Sequence, residues 1–232
     1  MSTQMFPKTL LVLLGACLWS AVASANIITF SLDRADPTCL TCVVPAGTVT
    51  LTDGAANQVS IDVQLFSGFS LRDGNANHNA VTFFLSGISS IQQIGGFTSG
   101  DTTAHTFQWV NTLSAGSYLA GSFDAPPFGS GFNYAVDCTG CTSGSDAANP
   151  TRSLNFLISA TGLSTASFIQ PTSGTSVLAV DVIHFSPSST YNVGVTLDSI
   201  IITNAVPEPQ SAALLGVGLF GMALVLRRRR SS

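Results

Sequence analysis

The stretch QVSIDVQLF, residues 58–66, decides the fold of this chain. Every second residue in it is apolar: Val59, Ile61, Val63 and Leu65. Successive side chains of a β-strand point to opposite faces, so this alternation predicts a strand with one buried face and one face in water.

Similar short runs recur along the chain and are separated by residues that favour turns. Asp53-Gly54, Asp73-Gly74 and Gly95-Gly96 are turn signals of this kind. Residues 161–170 predict no more than a single helical turn. The further predicted strands are 27–32, 48–51, 80–85, 105–110, 117–123, 132–136, 154–159, 177–185 and 191–202.

This pattern predicts an all-β fold, an antiparallel two-sheet β-sandwich with jelly-roll or Ig-like topology. A closed barrel is the alternative. Residues 26–202 are long enough for one domain with its own core. No internal repeat points to a propeller or a solenoid.

The N-terminus has the order of a secretory signal peptide. Lys8 precedes an apolar run at 10–18, and Ala23-Ser24-Ala25 supplies the small residues of a cleavage site. We predict a signal peptide over residues 1–25 and an exported domain over residues 26–202. Lipoprotein processing at Cys17 is the alternative, because residues 14–17 (LGAC) loosely resemble a lipobox.

The C-terminus has three parts in a fixed order. Pro207, Glu208 and Pro209 lie in a predicted linker, residues 203–211. Residues 212–226 are uncharged and predict a transmembrane helix of about 22 Å, shorter than the roughly 30 Å hydrocarbon core. Residues 227–232 predict a basic cytoplasmic tail, in which four residues stop transfer across the membrane: Arg227, Arg228, Arg229 and Arg230.

This tail resembles the PEP-CTERM sorting signal. The resemblance is carried by Pro207-Glu208-Pro209, the glycine-containing apolar stretch 214–226 and the arginine cluster. It implies processing by an exosortase, a membrane cysteine protease-like enzyme, and it implies association with extracellular polysaccharide. A plain membrane anchor is the alternative reading. The resemblance covers only the tail and implies an export route, with no activity.

Charge is sparse in the exported domain and mostly negative. Residues 26–205 contain no lysine and no glutamate, and their basic residues are Arg34, Arg72 and Arg152, against eleven aspartates. Nucleic acid is excluded as an expected partner, because such a domain offers no basic surface to phosphates.

Two C-x-x-C pairs, Cys39 with Cys42 and Cys138 with Cys141, lie in the exported domain. An oxidising compartment favours disulfides, and we expect each pair to be bonded locally. Zinc bound by four thiolates is a second reading, although the two pairs are far apart for a zinc ribbon. A redox motif is a third, and it lacks the βαβ context.

The loop that holds Asp73, Asn75 and Asn77 has oxygen-bearing side chains at alternate positions. Ca²⁺ prefers such ligands, so this loop is the candidate metal site; an exposed turn rich in turn-forming residues is the simpler reading. Asp137 and Asp146 are similarly ambiguous. No other cofactor is expected.

Catalysis has little support in the sequence. His78, His105 and His184 are the histidines, and none stands in a recognisable catalytic motif. Four aromatic residues could stack on sugar rings or pack in the core: Trp109, Tyr118, Tyr134 and Tyr191.

We therefore expect a non-enzymatic protein of the cell surface or extracellular matrix, sorted by an exosortase-type system. Its predicted role is structural or adhesive and associated with exopolysaccharide. A carbohydrate-binding module or a secreted glycan-active hydrolase is the alternative.

Overall fold

The described chain consists almost entirely of antiparallel strands. The computed structural model describes residues 24–35, 39–72, 79–101, 105–110, 117–128, 130–141, 150–168, 176–186, 188–196 and 200–207. The chain divides into two compact units, residues 1–25 with 205–232 and residues 26–204. The elements below belong to the second unit, apart from the outer ends of the first and last strands.

Fifteen strands and one 3₁₀ helix are described. The helix, Thr165–Phe168, is the single turn expected within 161–170. The strands are β1 Ser24–Ser31, β2 Gly47–Asp53, β3 Gln58–Leu65, β4 Phe69–Leu71, β5 Val81–Phe83, β6 Ser90–Thr98, β7 Thr106–Trp109, β8 Ser117–Leu119, β9 Phe123–Asp124, β10 Ser130–Phe132, β11 Tyr134–Thr139, β12 Ser153–Ser159, β13 Ser176–Phe185, β14 Ser188–Thr196 and β15 Ile200–Pro207.

The strands form two large sheets and one hairpin. The first sheet has seven strands in the order β15-β1-β2-β3-β12-β6-β8. The second has six, in the order β14-β13-β5-β11-β7 with β4 also paired to β13, while β9 pairs with β10. Together the two large sheets contain thirteen strands, more than the eight of a jelly roll or the seven to nine of an Ig domain.

Strand β3 lies at the centre of the first sheet. Ile61 faces Leu51 of β2 and Phe156 of β12 in the two neighbouring registers. The four apolar residues of β3 are buried, and the polar residues between them are half-buried or exposed. The prediction of a strand with one buried face is confirmed.

Both sheets contribute to one hydrophobic core, the arrangement expected of a β-sandwich. Val49, Ile61 and Phe156 come from the first sheet, and Phe83 and Val180 from the second. The Phe83 ring lies near the centre of an aromatic cluster, with ring centroids 5.7 Å from Tyr134 and 5.6 Å from Phe168.

The second sheet is also covered on its outer face. Ala125 and Phe132 form a small buried cluster with Ala179 of β13, and the Phe128 ring packs beside it. Strand β13 is therefore buried on both faces over most of its length, which explains why its sequence is apolar without alternation.

Four sequence predictions about strands are wrong. Gly95-Gly96 is not a turn between strands but lies inside β6, where Gly95 has a φ of 85° beside a register shift against β12. Glycine adopts this backbone conformation readily, so the pair marks a bulge. The adjacent polar residues Gln92 and Gln93 interrupt the apolar alternation in the rest of β6, so the pattern does not predict this strand.

The other three errors merge strands that belong to different sheets. Residues 132–136 contain the last residue of β10, which pairs with β9, and the first three residues of β11 in the second sheet. Residues 117–123 contain β8, at the edge of the first sheet, and the start of β9, which pairs with β10. Residues 191–202 contain the end of β14 in the second sheet and the start of β15 in the first. Side-chain alternation reports local strand geometry and carries no information about which sheet a strand joins.

Candidate functional site

Several predicted functional residues lie outside the described part of the chain. They are Cys17, the calcium candidates Asp73, Asn75 and Asn77, Glu208 and Pro209, and the arginines of 227–230. Pro207 is described and ends β15. Among the described residues, no helix has the length and apolar character to cross a bilayer, and the predicted span at 212–226 is not among them.

The four cysteines form two local disulfides. Cys39 is bonded to Cys42, with a Cα–Cα distance of 5.4 Å, and Cys138 to Cys141, with 5.7 Å. The first pair lies in a loop between β1 and β2, where Leu40 is fully exposed. The second joins Cys138 of β11 to Cys141 just after the strand, and both are buried in the core. Bonded in this way, the sulfurs cannot form the four-thiolate zinc site considered above.

His105 lies beside the second disulfide. Its Nδ1 is 3.0 Å from the Gly140 carbonyl oxygen. One ligand atom each of His105, Cys138 and Cys141 lie within 4.8 Å of one another. Only the pairing of β7 with β11 brings the histidine to this pair, so no spacing along the chain could have revealed it.

The aromatic candidates for sugar stacking are used in packing. Trp109 is buried, stacks on Tyr118 at a centroid distance of 4.8 Å and donates its Nε1–H to Gln93 Oε1 at 2.8 Å. The buried Tyr134 donates its hydroxyl hydrogen to the Ile88 carbonyl oxygen, and burial raises its pKa to about 12.

Tyr191 ties the first disulfide loop to the second sheet. Its hydroxyl accepts a hydrogen bond from the Val43 backbone N–H at 2.8 Å and lies 2.9 Å from the Val43 carbonyl oxygen, to which it donates. Burial raises the pKa of Tyr191, and the Val43 hydrogen bond partly offsets that increase. The buried rings of Trp109, Tyr134 and Tyr191 cannot present a flat face to a sugar, whereas Tyr118 is half-buried.

Two aspartates hold loops in place. Asp101 Oδ2 accepts hydrogen bonds from the Ser99 hydroxyl at 2.6 Å and from the Arg152 backbone N–H at 2.9 Å. Asp53 Oδ1 accepts the Thr165 backbone N–H at 2.7 Å, at the start of the 3₁₀ helix. These carboxylates accept several donors each, which is a structural use of charge.

Asp181 is the one fully buried carboxylate among the described residues. It lies on β13 opposite Asn192 of β14, and its Oδ2 is 3.5 Å from Arg72 Nη1. Burial raises its pKa to about 7, although the neighbouring Arg72 guanidinium lowers it. The sequence shows Asp181 only as one acidic residue in an apolar strand.

A polar groove opens where β3, β6, β8 and β12 meet at one end of the first sheet. Its volume is about 430 Å³, within the range of small-ligand pockets. Its lining includes hydroxyls and amides without charge: Asn57, Gln58, Ser90, Gln92, Ser159 and Thr161. Such groups can both donate and accept hydrogen bonds.

The groove continues onto the outer face of the first sheet, which we call the hydroxyl–amide face. It consists of the outward residues of β2, β3 and β12: Thr48, Thr50, Thr52, Gln58, Ser60, Asp62, Gln64, Asn155, Leu157 and Ser159. Asp62 carries the only charge in this set. Neighbouring side chains bond across strands, as Asn155 Nδ2 does to Ser60 Oγ at 3.4 Å.

Comparison with known proteins identifies the tail. Residues 205–230 match the family model of the PEP-CTERM protein-sorting motif, which confirms the resemblance seen in the sequence. No curated protein matches the chain, and no solved structure does. The motif indicates an exported protein that is anchored through its C-terminus before an exosortase processes it.

Proposed function

We propose that this chain is a non-enzymatic protein of the cell surface or extracellular matrix with a structural or adhesive role, bound to exopolysaccharide. The observation that carries the proposal is the sorting motif at residues 205–230, since it gives the route outward and the processing enzyme. The body that follows this route is a β-sandwich with two local disulfides, suited to an oxidising environment.

The hydroxyl–amide face and its groove support polysaccharide as the partner. A neutral glycan presents hydroxyls that donate and accept, and the groove offers side chains of the same kind. The scarcity of charge on the face suits an uncharged polymer. A carbohydrate-binding role is therefore favoured over hydrolysis, which needs two carboxylates on either side of the scissile bond.

Three of the described carboxylates support the non-enzymatic part of the proposal. Asp53 and Asp101 accept several hydrogen bonds from loops, and Asp181 is buried beside Arg72. Each is already engaged in holding the fold.

Retardation of the protein in a gel that contains the host's purified exopolysaccharide tests this proposal. The double variant Gln58→Ala/Gln92→Ala removes two groove amides, and Gln108→Ala is a matched control on the exposed side of β7. At roughly 1 kcal/mol for each of the two lost hydrogen bonds, we expect the double variant to bind about thirtyfold more weakly.

We expect the control to bind as the unmodified protein does. Unmodified protein that migrates equally with and without the polysaccharide would contradict the proposal. Equal retardation of the double variant and the control would show that the groove does not bind the polysaccharide.

A further inference from the structure

His105 and the second disulfide form a group of potential metal ligands at the end of the core. The register of β7 against β11 pairs Phe107 with Cys138 and Thr106 with Thr139, so His105 lies opposite Gly140. Within the described ranges, His105, Cys138 and Cys141 are the residues of a His/Cys/Asp/Glu group close enough to share an ion. Zn²⁺ prefers such nitrogen and sulfur ligands.

The hydrogen bond of His105 fixes which ring nitrogen is available. A carbonyl oxygen only accepts, so Nδ1 must carry the proton that it donates to Gly140. In the neutral ring the lone pair then lies on Nε2. Metal-binding histidines commonly donate their other N–H to a backbone carbonyl in this way.

Nε2 of His105 is buried and has no hydrogen-bond partner. Buried polar atoms are nearly always satisfied, so an exception calls for an explanation. A metal ion would satisfy the Nε2 lone pair. The same ion would bind the two neighbouring sulfur atoms once their disulfide is reduced.

We propose that the reduced Cys138–Cys141 pair and His105 Nε2 bind one thiophilic metal ion of the Zn²⁺ class. A small-molecule dithiol supplies two electrons: the S–S bond breaks, two thiols form, and the dithiol becomes a disulfide. Binding of the ion then forms two sulfur–metal bonds and one nitrogen–metal bond and releases the two thiol protons. Water completes the tetrahedral set of four.

Burial favours a small ion over a protein redox partner. Cys138 is 0% exposed and Cys141 2% exposed, so a protein thiolate cannot approach either sulfur in the folded state. Reactive cysteines of exchange enzymes are partly exposed. The site is therefore suited to binding a metal ion and not to thiol–disulfide exchange with another protein.

The first disulfide provides a comparison within the same chain. Cys39 and Cys42 lie in the loop that exposes Leu40, and apart from the disulfide the side-chain contact described for Cys39 Sγ is the Thr41 hydroxyl at 3.8 Å. The described ligand group includes neither of these cysteines. Two thiolates without the imidazole should hold the ion more weakly.

Metal titration of the full-length chain in detergent tests the proposal. The protein carries Cys39→Ser/Cys42→Ser, is reduced with dithiothreitol and is freed of it under argon. Zn²⁺ affinity is measured by competition with a chromophoric chelator, and Co²⁺ reports thiolate ligation by its charge-transfer absorbance. We expect one ion for each reduced chain and none for the oxidised chain.

His105→Asn should weaken Zn²⁺ binding by at least about tenfold, since even loss of an outer-shell partner costs 10–100-fold. His184→Asn is the matched control and should leave the affinity unchanged. Zinc X-ray absorption of the unsubstituted site, with two sulfurs and one imidazole nitrogen expected, decides the matter if His105→Asn fails to fold. Equal affinity in both histidine variants, binding by the oxidised chain, or a pair that resists reduction until unfolding would overturn the proposal.

Discussion

The stability of this protein should fall as the pH rises from about 4 to 7, because Asp181 must ionise in the core. The pKa of its carboxyl is raised by burial from 3.8 to about 7. Below pH 4 it is protonated in both the folded and the unfolded chain. Between the two pKa values the folded chain binds more protons than the unfolded chain does. The free energy of unfolding therefore falls as the pH rises through this window.

The size of the effect follows from the shift. About three pKa units, at 1.36 kcal/mol each, correspond to about 4 kcal/mol between pH 4 and pH 8. Asp181→Asn is neutral at every pH and imitates the protonated carboxyl. We therefore expect the variant to match the unmodified protein near pH 4 and to be more stable by up to about 4 kcal/mol at pH 8.

Urea unfolding followed by tryptophan fluorescence, repeated from pH 4 to pH 8, measures this difference. Arg72→Gln provides a second test, because it removes the cation that lowers the folded-state pKa of Asp181 and should extend the loss of stability to higher pH. A difference between Asp181→Asn and the unmodified protein that stays constant over this range would refute the reasoning. So would a variant that becomes relatively less stable as the pH rises.

Three further predictions concern core packing, backbone contact and hydrogen bonding. Each can be checked by urea unfolding at one pH. Phe83→Ala, at the centre of the aromatic cluster, should cost about 3–5 kcal/mol. Gly47→Ala should cost about 1–3 kcal/mol, because a Cβ there collides with the Gln64 backbone carbonyl, whereas Gly96→Ala points into open space and should stay within about 0.5 kcal/mol. Tyr191→Phe should cost about 1–3 kcal/mol, since the Val43 backbone loses its partner.

The strands with one buried face could be predicted from the sequence. The position in a sheet of strands buried on both faces could not. The alternation at 58–65 predicts a strand with one buried face, and β3 has that buried face. Strand β13 has no alternation because both of its faces are covered. The assignment of β8 and β9 to different sheets depends on contacts far along the chain, which no local pattern contains.

The candidate sites divide in the same way. The sorting motif is contiguous, so Pro207, Glu208 and Pro209 could be recognised directly. The local disulfides follow from short spacing and an oxidising environment. The His105 group and the Asp181–Arg72 pair join residues more than thirty positions apart, and only the sheet register brings them together.

The intact mass of the protein recovered from its host tests the central claim most directly. We predict that an exosortase-containing strain yields a chain that lacks the apolar run and the arginines of 227–230. A strain without the exosortase, or a chain with Pro207→Ala/Glu208→Ala/Pro209→Ala, should retain both in the membrane. A full-length C-terminus that persists in the membrane of the exosortase-containing strain would contradict the account.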